Sequence, residues 1–176
     1  MSIELIFLAI ILKFIKTKNF DFLYKVKFKY YLLLFLSLSI FIGINFLNNK
    51  FFIKNYFILN LTANIFFIIF CFLQKNNFIK ILALGIILNT IVFSFNGKMP
   101  VDMAAAKIAL SDEKFDLIKN GYSLSHGFLE NPKLFILSDI IPIPKTYIYS
   151  RVISFGDILI SISSFLYILF IEESEK

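Results

Sequence analysis

The chain has 176 residues and a formal net charge of +6, and 59% of its residues are hydrophobic while only 17% are charged. This composition excludes an ordinary soluble domain of the same length and predicts an integral membrane protein. The lysines concentrate in short segments beside apolar runs, as in loops that face anionic lipid headgroups. We therefore expect the lipid bilayer, and not nucleic acid, as the partner.

Five apolar runs predict an all-α fold, a polytopic membrane helix bundle that makes one integral-membrane domain of residues 1–176. The runs cover about residues 3–14, 31–47, 56–72, 79–95 and 152–171. In the short first run, Lys13 and Lys16 follow the apolar core instead of preceding it, so we interpret the run as a retained anchor and not a cleaved secretory signal. Cys71 is the only cysteine, which leaves no disulfide within the chain and no cysteine-based zinc site.

The lysines between the runs predict the orientation of the chain in the membrane. The first connection should be cytoplasmic because it carries only one acidic residue against five basic ones: Lys16, Lys18, Lys25, Lys27 and Lys29. With five spans, the N-terminus and the long connection of residues 96–151 then lie outside the cytoplasm, and the EESEK tail lies inside. The second connection, which carries Lys50 and Lys54, would also lie outside and argues against this topology.

The long connection begins with NGKMPVD and is expected to carry short interfacial helices. Gly97 should release the chain from the fourth run, and Pro100 should open a helix that runs to about Leu110. Ser111 can cap a second helix, DEKFDLIK, which Gly121 would end. The next segment, NPKLFILSDIIPIP, predicts an interfacial or re-entrant structure because its prolines stop a regular helix.

Polar side chains recur on one face of each of the last three runs. In the fifth run, a spacing of three, four and three residues places four polar residues within about 80° of arc, and the other two runs use a spacing of four and then seven. We expect the three faces to meet and to form a polar pocket that opens outward. The three sets are Ser154, Asp157, Ser161 and Ser164; Asn60, Asn64 and Cys71; and Gly85, Asn89 and Asn96.

Asp157 is the most informative of these residues, because a carboxylate in the middle of a membrane costs about 2.5 to 3.5 kcal/mol. Ionisable groups in spans usually line pathways or sites, which favours a functional role. The structural alternative is that Asp157 caps the fifth helix near its N-terminus, where the helix dipole favours a negative charge. For the serines and Asn45, hydrogen bonding between neighbouring helices is the preferred interpretation.

His126 is the only imidazole in the chain and the only side chain whose unperturbed pKa lies near neutrality. With Asp139 and Asp157 it could form a metal site or an acid and base group, although a lone loop histidine is more often a surface residue. We expect these three side chains to converge with Asn96 on one extracytoplasmic pocket. There, Asn89 and Asn96 would donate hydrogen bonds to the Asp157 carboxylate.

Four short elements follow one another in the second half of the chain: Asn-Gly-x-Met-Pro-Val at the end of a run, a histidine, Asp-Ile-Ile-Pro-x-Pro, and Ser-x-Gly-Asp at the start of the last run. In this order they resemble an uncharacterised bacterial integral-membrane family, domain of unknown function 5317. Ser138 and Lys133 stand where the family pattern has a glycine and an arginine, which affects the turn but keeps the loop aspartate. The resemblance implies no activity, substrate or cofactor, but it does mark ten positions: Asn96, Gly97, Met99, Pro100, His126, Asp139, Pro142, Ser154, Gly156 and Asp157.

The sequence favours a protein that binds a small molecule or takes part in transport, with its polar site near the outer membrane face. Two alternatives stay open: a membrane-embedded, hydrolase-like enzyme that uses His126, Asp139 and Asp157, and a structural subunit that partners another membrane protein. An intramembrane aspartyl protease is disfavoured because Ser154 stands where its Gly-x-Gly-Asp element has the first glycine. Serine-hydrolase elbows, phosphate-binding glycine loops and Cys/His zinc spacings are missing, so neither a ligand nor a cofactor can be named.

Overall fold

The computed structural model of the protein describes residues 2–24, 26, 28–47 and 49–171, and these residues are 67% helical. The prediction of a mainly helical fold is confirmed. Predictions that concern Lys25, Lys27 and the EESEK tail lie outside the described residues.

The helices are α1 (Ser2–Thr17), α2 (Asp21–Tyr24), α3 (Tyr31–Phe46), α4 (Lys50–Lys54), α5 (Tyr56–Leu73), α6 (Asn77–Asn96), α7 (Met103–Ala109), α8 (Asp112–Lys119) and α9 (Phe155–Leu169). Short strands, which were not predicted, are β1 (Met99–Pro100), β2 (His126–Gly127), β3 (Ile141–Ile143) and β4 (Arg151–Ile153).

Each of the five predicted apolar runs contains one long helix. The fifth helix begins later than predicted, because β4 pairs with β3 and Ser154 caps α9 instead of lying within it. α5 and α6 are long and apolar enough to cross a membrane, with mean hydropathies of 2.1 and 2.2, whereas α3 and α9 are apolar but shorter. Length and composition therefore identify two candidate spans in the described part of the chain, where the sequence predicted five.

The long helices pack side by side in the order α3, α5, α6, α9 and α1. α5 and α6 run antiparallel, since only residues 74–76 join them. α1 runs parallel to α9, because matching ends of the two helices are fastened together. Near their first residues, Arg151 Nη2 donates to both Glu4 carboxylate oxygens at 2.9 and 3.0 Å. Near their last residues, the buried Lys13 Nζ donates to Leu169 O at 2.9 Å, where the dipole of α9 favours a positive charge.

α6 and α9 cross in backbone contact at Gly85 and Gly156. A Cβ atom added to Gly85 would lie 2.6 Å from Gly156 O, and one added to Gly156 would lie 2.6 Å from Gly85 O and would overlap the side-chain oxygen of Asn89. A methyl group does not fit at either position. The two glycines thereby allow Asn89 of α6 to reach the first turn of α9.

The long connection folds into a compact unit, residues 97–153, which we call the cap. In the cap, β1 pairs in parallel with β2, and β3 pairs in antiparallel with β4. The first pairing sets Met99 opposite His126, and an isolated bridge on the other side of the chain joins Val101 to Asp139. The apolar core of the cap consists of Val101, Ala106 and Leu110.

The cap corrects one prediction made from the sequence, and the interfacial position of residues 131–144 stays a prediction. Pro100 does not open a helix, because it lies in β1, and α7 begins after Asp102, whose carboxylate accepts a hydrogen bond from Ala105 N at 2.7 Å. Proline suits this strand position because no N–H group is needed there. The Pro100 carbonyl accepts from Asp139 N at 3.0 Å, and the N–H groups of Met99 and Val101 donate to the β2 region. The segment predicted as interfacial or re-entrant forms a 3-10 turn (Phe135–Leu137) followed by β3.

The predicted ends of two helices are confirmed. Ser111 caps α8 by accepting a hydrogen bond from Lys114 N at 3.4 Å, and the chain leaves that helix through Gly121, whose φ is +77°. Gly97 ends α6 with a φ of +75°. Both angles lie in the left-handed region, which glycine adopts without a steric penalty.

Candidate functional site

A cavity of about 690 Å³ lies between the cap and the ends of α5, α6 and α9 that face it. This volume is typical of a small-molecule site. Apolar side chains form most of the wall, including Phe93 from α6, Ile160 from α9 and Leu117 from α8. Polar side chains from both the helices and the cap also line it: Asn60, Asn64, Asn89, Asp157, Ser125, His126 and Asp139.

The helix side of the cavity is organised by Asn89 and Asp157. Asn89 Nδ2 donates to Asp157 Oδ1 at 2.9 Å, and Asn89 Oδ1 accepts from Ser154 Oγ at 2.8 Å. Asp157 and Ser154 also form a capping box, in which the backbone N–H of each donates to the side chain of the other at 3.1 Å. Asp157 therefore caps α9, as the structural alternative predicted, and it also lines the cavity.

α5 adds a second set of amides to the helix side. Asn60 and Asn64 lie one turn apart, and Asn64 Nδ2 donates to Asn60 Oδ1 at 2.9 Å. The Tyr56 hydroxyl at the start of α5 makes side-chain hydrogen bonds to Asn60 and to Ser125 of the cap. These bonds join α5 to the cap across one edge of the cavity.

Three other polar residues of the helices donate hydrogen bonds within their own helices. Ser161 Oγ donates to Asp157 O at 2.6 Å, and Ser164 Oγ donates to Ile160 O at 2.7 Å. Asn45 Nδ2 donates to Phe41 O at 2.8 Å. These donors satisfy carbonyl oxygens in their own helices, a bonding pattern that short polar side chains favour inside a helix.

The cap side of the cavity is organised by His126. Ser125 Oγ lies 2.6 Å from His126 Nδ1, and His126 Nε2 lies 3.4 Å from Asp139 Oδ2. Strand β1 positions Ser125, His126 and Asp139 in a row, because it is hydrogen-bonded to β2 on one side and to Asp139 on the other. The result is a continuous series of polar groups along one wall of the cavity.

Burial changes the protonation of the His126 and Asp139 pair. Desolvation, together with the negative charge of Asp157, raises the pKa of Asp139 from 3.8 to about 8. Desolvation lowers the pKa of His126, and the negative charge of Asp157 opposes that shift. At neutral pH we therefore expect a neutral imidazole beside a protonated carboxyl group. The 3.4 Å separation fits this state, since charge-assisted hydrogen bonds are shorter, about 2.7 to 2.9 Å.

Most of the predicted pocket residues line the cavity, but two do not. Asn96 was predicted to bind Asp157; instead its Nδ2 donates to Lys133 O at 2.9 Å and its Oδ1 accepts from Lys133 N at 2.8 Å, which fastens the cap to the end of α6. Ser154 acts through Asn89 and the start of α9. The predicted pocket residues that do line the cavity are Asn60, Asn64, Asn89, His126, Asp139 and Asp157, and Met99, predicted as a motif residue, lines it as well. The backbone around it is shaped by Gly97, Pro100, Pro142 and Gly156.

The three candidate metal ligands, His126, Asp139 and Asp157, are not clustered around one point. Across the described residues, no three His, Cys, Asp or Glu side chains are placed to hold one metal ion. His126 and Asp139 lie side by side, but the Asp157 carboxylate is turned to Asn89 and to the Ser154 backbone, which accounts for the missing third ligand.

The family resemblance that the motifs predicted is confirmed. The model of a family of unknown function, DUF5317, matches residues 25–169. The chain belongs to this family. No curated protein and no solved structure shows significant similarity to it. Membership in DUF5317 therefore identifies relatives without an assigned activity, and the function has to be argued from the cavity.

Two groups in the cavity of this DUF5317 protein, Ser125 and Arg151, were not predicted from the sequence. Ser125 precedes His126 directly, and the Ser-His pair in GYSLSHGF was the available signal for their contact. Arg151 lines the cavity and is bound to Glu4, 147 residues away, a separation at which no local pattern predicts an ion pair.

Replacing Asn89 with alanine in this DUF5317 protein is expected to lower the free energy of unfolding by about 2 to 4 kcal/mol. The change removes a donor from the partly buried Asp157 and an acceptor from the fully buried Ser154. Asn45→Ala is the matched control, because Asn45 is exposed and donates within its own helix, and it should cost no more than about 0.5 kcal/mol. Thermal unfolding followed by circular dichroism measures both, and equal losses would contradict the assigned role of Asn89.

Proposed function

We propose that the protein is a multi-pass cell-membrane protein that binds a small amphipathic molecule in the cavity, either as a carrier or as the binding part of a transport system. The observation that carries this proposal is the cavity of about 690 Å³, which combines apolar walls with convergent polar groups. Such pockets are the usual binding sites of proteins, and a strongly shifted pKa, here that of Asp139, is typical of functional groups.

Exposed apolar surface supports the membrane part of the proposal. In the 18-residue apolar stretches of α5 and α6, only 22% and 33% of the residues are buried. These shares are too small for the core helices of a soluble domain. Phe35 of α3 and Ile58 of α5 are 65% and 64% exposed, and lipid tails would cover such surfaces. α1, α3 and α9 have 15 or 16 residues, or about 24 Å of helix, and would complete five spans where the bilayer thins locally or flanking residues reach the interface.

The contacts between connections support one orientation for these five spans. Gln74, in the turn between α5 and α6, accepts from Lys29 N at 3.1 Å and donates to Lys29 O at 2.9 Å. The lysine-rich first connection and this turn thus share the end of the molecule that lies away from the cap. Lysine-rich loops face the cytoplasm, so the cap faces outward. The parallel arrangement of α1 and α9 fits an odd number of spans, with the N-terminus outside and the C-terminus inside.

Cysteine labelling tests the orientation. In a Cys71→Ser background, Lys119→Cys of the cap and Lys75→Cys of the opposite turn place single thiols on exposed positions. A membrane-impermeant maleimide on intact cells is expected to label position 119, and to label position 75 only after the membrane is opened. The reverse pattern would overturn the outward position of the cavity.

Blocking the cavity tests binding. Leu117 lines the cavity and is 45% exposed, so Leu117→Trp should fill the volume without disturbing a buried core. Native mass spectrometry of protein in lipid nanodiscs is expected to detect a retained small molecule, at an occupancy at least about tenfold lower in this variant. Ile148→Trp adds the same bulk at a position that is 89% exposed and does not line the cavity, and it should retain the molecule. Equal occupancy in the two variants would contradict the proposal.

A second function, hydrolysis of an ester or amide, is favoured by the row of Ser125, His126 and Asp139. Ser125 would be the nucleophile and His126 the general base, with Asp139 on the opposite ring nitrogen. The shifted pKa values oppose this assignment, because a protonated Asp139 does not stabilise the imidazolium that attack by serine creates. A fluorophosphonate that labels the protein, but not its Ser125→Ala variant, would establish the enzyme; no labelling would leave binding as the function.

A further inference from the structure

We propose that the polar end of the bound molecule is an ammonium group held between Asp139 and Asp157, so that the ligand is an amphipathic amine. This inference rests on the proposed binding function and names its ligand class. Three features carry it: two carboxyl groups in one cavity, the lack of an ion pair between either of them and a basic side chain of the described residues, and apolar walls large enough for a hydrocarbon body.

Asp157 can accept hydrogen bonds from a ligand. A carboxylate offers about four lone-pair sites, two on each oxygen. Among the described residues, Asn89 Nδ2 donates to Oδ1 and Ser154 N donates to Oδ2, which uses one site on each. Because Asp157 also lines the cavity, its remaining capacity is directed to a molecule bound there.

Asp139 supplies the second carboxyl group. Its side chain is 6% exposed and lies beside His126, and it lines the same cavity as Asp157. Two carboxylates that share a site poor in water repel each other, and the raised pKa of Asp139 reflects this repulsion together with desolvation. An ammonium ion between them would remove the repulsion, and its three N–H groups could donate to both.

The basic residues that line the cavity do not take this place. Arg151 Nη2 is bound to Glu4, and Lys114 is exposed on α8 at the rim. Within the described part of the chain, no lysine or arginine forms an ion pair with Asp139 or Asp157. Neither carboxyl group is therefore paired with a basic side chain of the described residues, which leaves both of them open to the ammonium group of a ligand.

The apolar walls select the rest of the ligand. Phe93, Ile160 and Leu117 come from three different helices and surround the polar groups with hydrocarbon surface. Burying one methylene group contributes enough free energy to raise affinity about fourfold. In a series of straight-chain amines, affinity is therefore expected to rise about fourfold for each added methylene until the cavity is full.

Isothermal titration calorimetry on the full chain in lipid nanodiscs, with empty nanodiscs subtracted, tests the proposal. Hexylamine, hexanol and hexanoate are the probes, since they share one hydrocarbon body. Hexylamine is expected to bind at least about tenfold more tightly than the other two. Asp139→Asn should weaken that preference, because only the Asp157 carboxylate then remains, while hexanol binding stays unchanged. Asp116→Asn, on the exposed surface of α8 and outside the cavity, should behave like the wild type.

The outcomes separate the ligand class from the binding function. Hexanol or hexanoate binding as tightly as hexylamine, with all binding lost in Leu117→Trp, would overturn the amine and keep the binding function. If the wild type shows no binding that Leu117→Trp removes, both the amine ligand and the binding function are overturned. If Asp139→Asn also loses hexanol binding, the Asp139→Glu variant is measured, because it keeps a carboxyl group at this position. Asp139→Glu should restore the preference for hexylamine. Failure to restore it would overturn the role of Asp139.

Discussion

Replacing Gly156 with alanine is expected to lower the free energy of unfolding by about 3 kcal/mol or more. The new methyl group would lie 2.6 Å from Gly85 O and would overlap the side chain of Asn89. The first contact is with backbone, so α6 and α9 would have to move apart. The second would displace Asn89 from both Asp157 and Ser154, so the loss of packing and the loss of buried hydrogen bonds add together.

Gly127→Ala is the matched control for this prediction. A Cβ atom there would meet its nearest neighbour, the flexible side chain of Lys98, at 3.4 Å, which is an ordinary contact. Thermal unfolding of both variants in the same detergent compares the two positions. The close crossing of α6 and α9 would be refuted by a Gly156→Ala protein that unfolds at the temperature of the Gly127→Ala protein.

Between about pH 6.5 and pH 8, the wild-type protein is expected to lose stability as the pH rises, and Asp139→Asn is expected to abolish that loss. The pKa of Asp139 is raised from 3.8 to about 8 on folding, so in this range the folded state holds a proton that the unfolded state has released. The stabilising effect of the proton is complete below about pH 4 and is lost as the pH rises through 8. The slope is at most about 1.4 kcal/mol per pH unit, or about 2 kcal/mol over this range.

The lower limit of this range is set by His126. Its pKa is lowered on folding, so below about pH 6.5 the unfolded state binds the additional proton and stability falls as the pH falls. That dependence has the opposite sign to the dependence of Asp139 and would partly cancel it. Chemical unfolding at a series of pH values, with Asp116→Asn as the control, measures the effect. A stability difference between wild type and Asp139→Asn that does not change from pH 6.5 to pH 8 would show that Asp139 is already ionised.

The parts of the fold that the sequence predicted are those whose cause is local. Apolar runs located the long helices, and Ser111 located the start of the short helix α8, because burial and capping act over a few residues. The β1 and β2 pair was missed because strands of two residues carry no periodicity. Pro100 was assigned to a helix start because proline is common both at helix starts and at strand edges. Only the partner strand distinguishes the two positions.

The sequence predicted which residues lie in the candidate site better than it predicted the hydrogen bonds between them. Helical spacing placed Asn60, Asn89 and Asp157 on facing surfaces, and the structure brings them to one cavity. Spacing did not specify hydrogen-bond partners, so Asn96 was assigned to Asp157, although it binds the backbone of Lys133. The alternatives for Asp157 were posed as capping or function. Its position one turn into α9 satisfies the capping geometry and still leaves it on the cavity wall.

The attachment of α1 to α9 has a consequence for biosynthesis. The two contacts that fasten these helices span 147 and 156 residues of sequence. Translation at about 5 to 20 residues per second delivers α9 on the order of ten seconds after α1. During that interval the ammonium group of Lys13 has no Leu169 carbonyl to bind and must stay hydrated or be shielded by another molecule. α1 can therefore take its final position only after α9 has been synthesised.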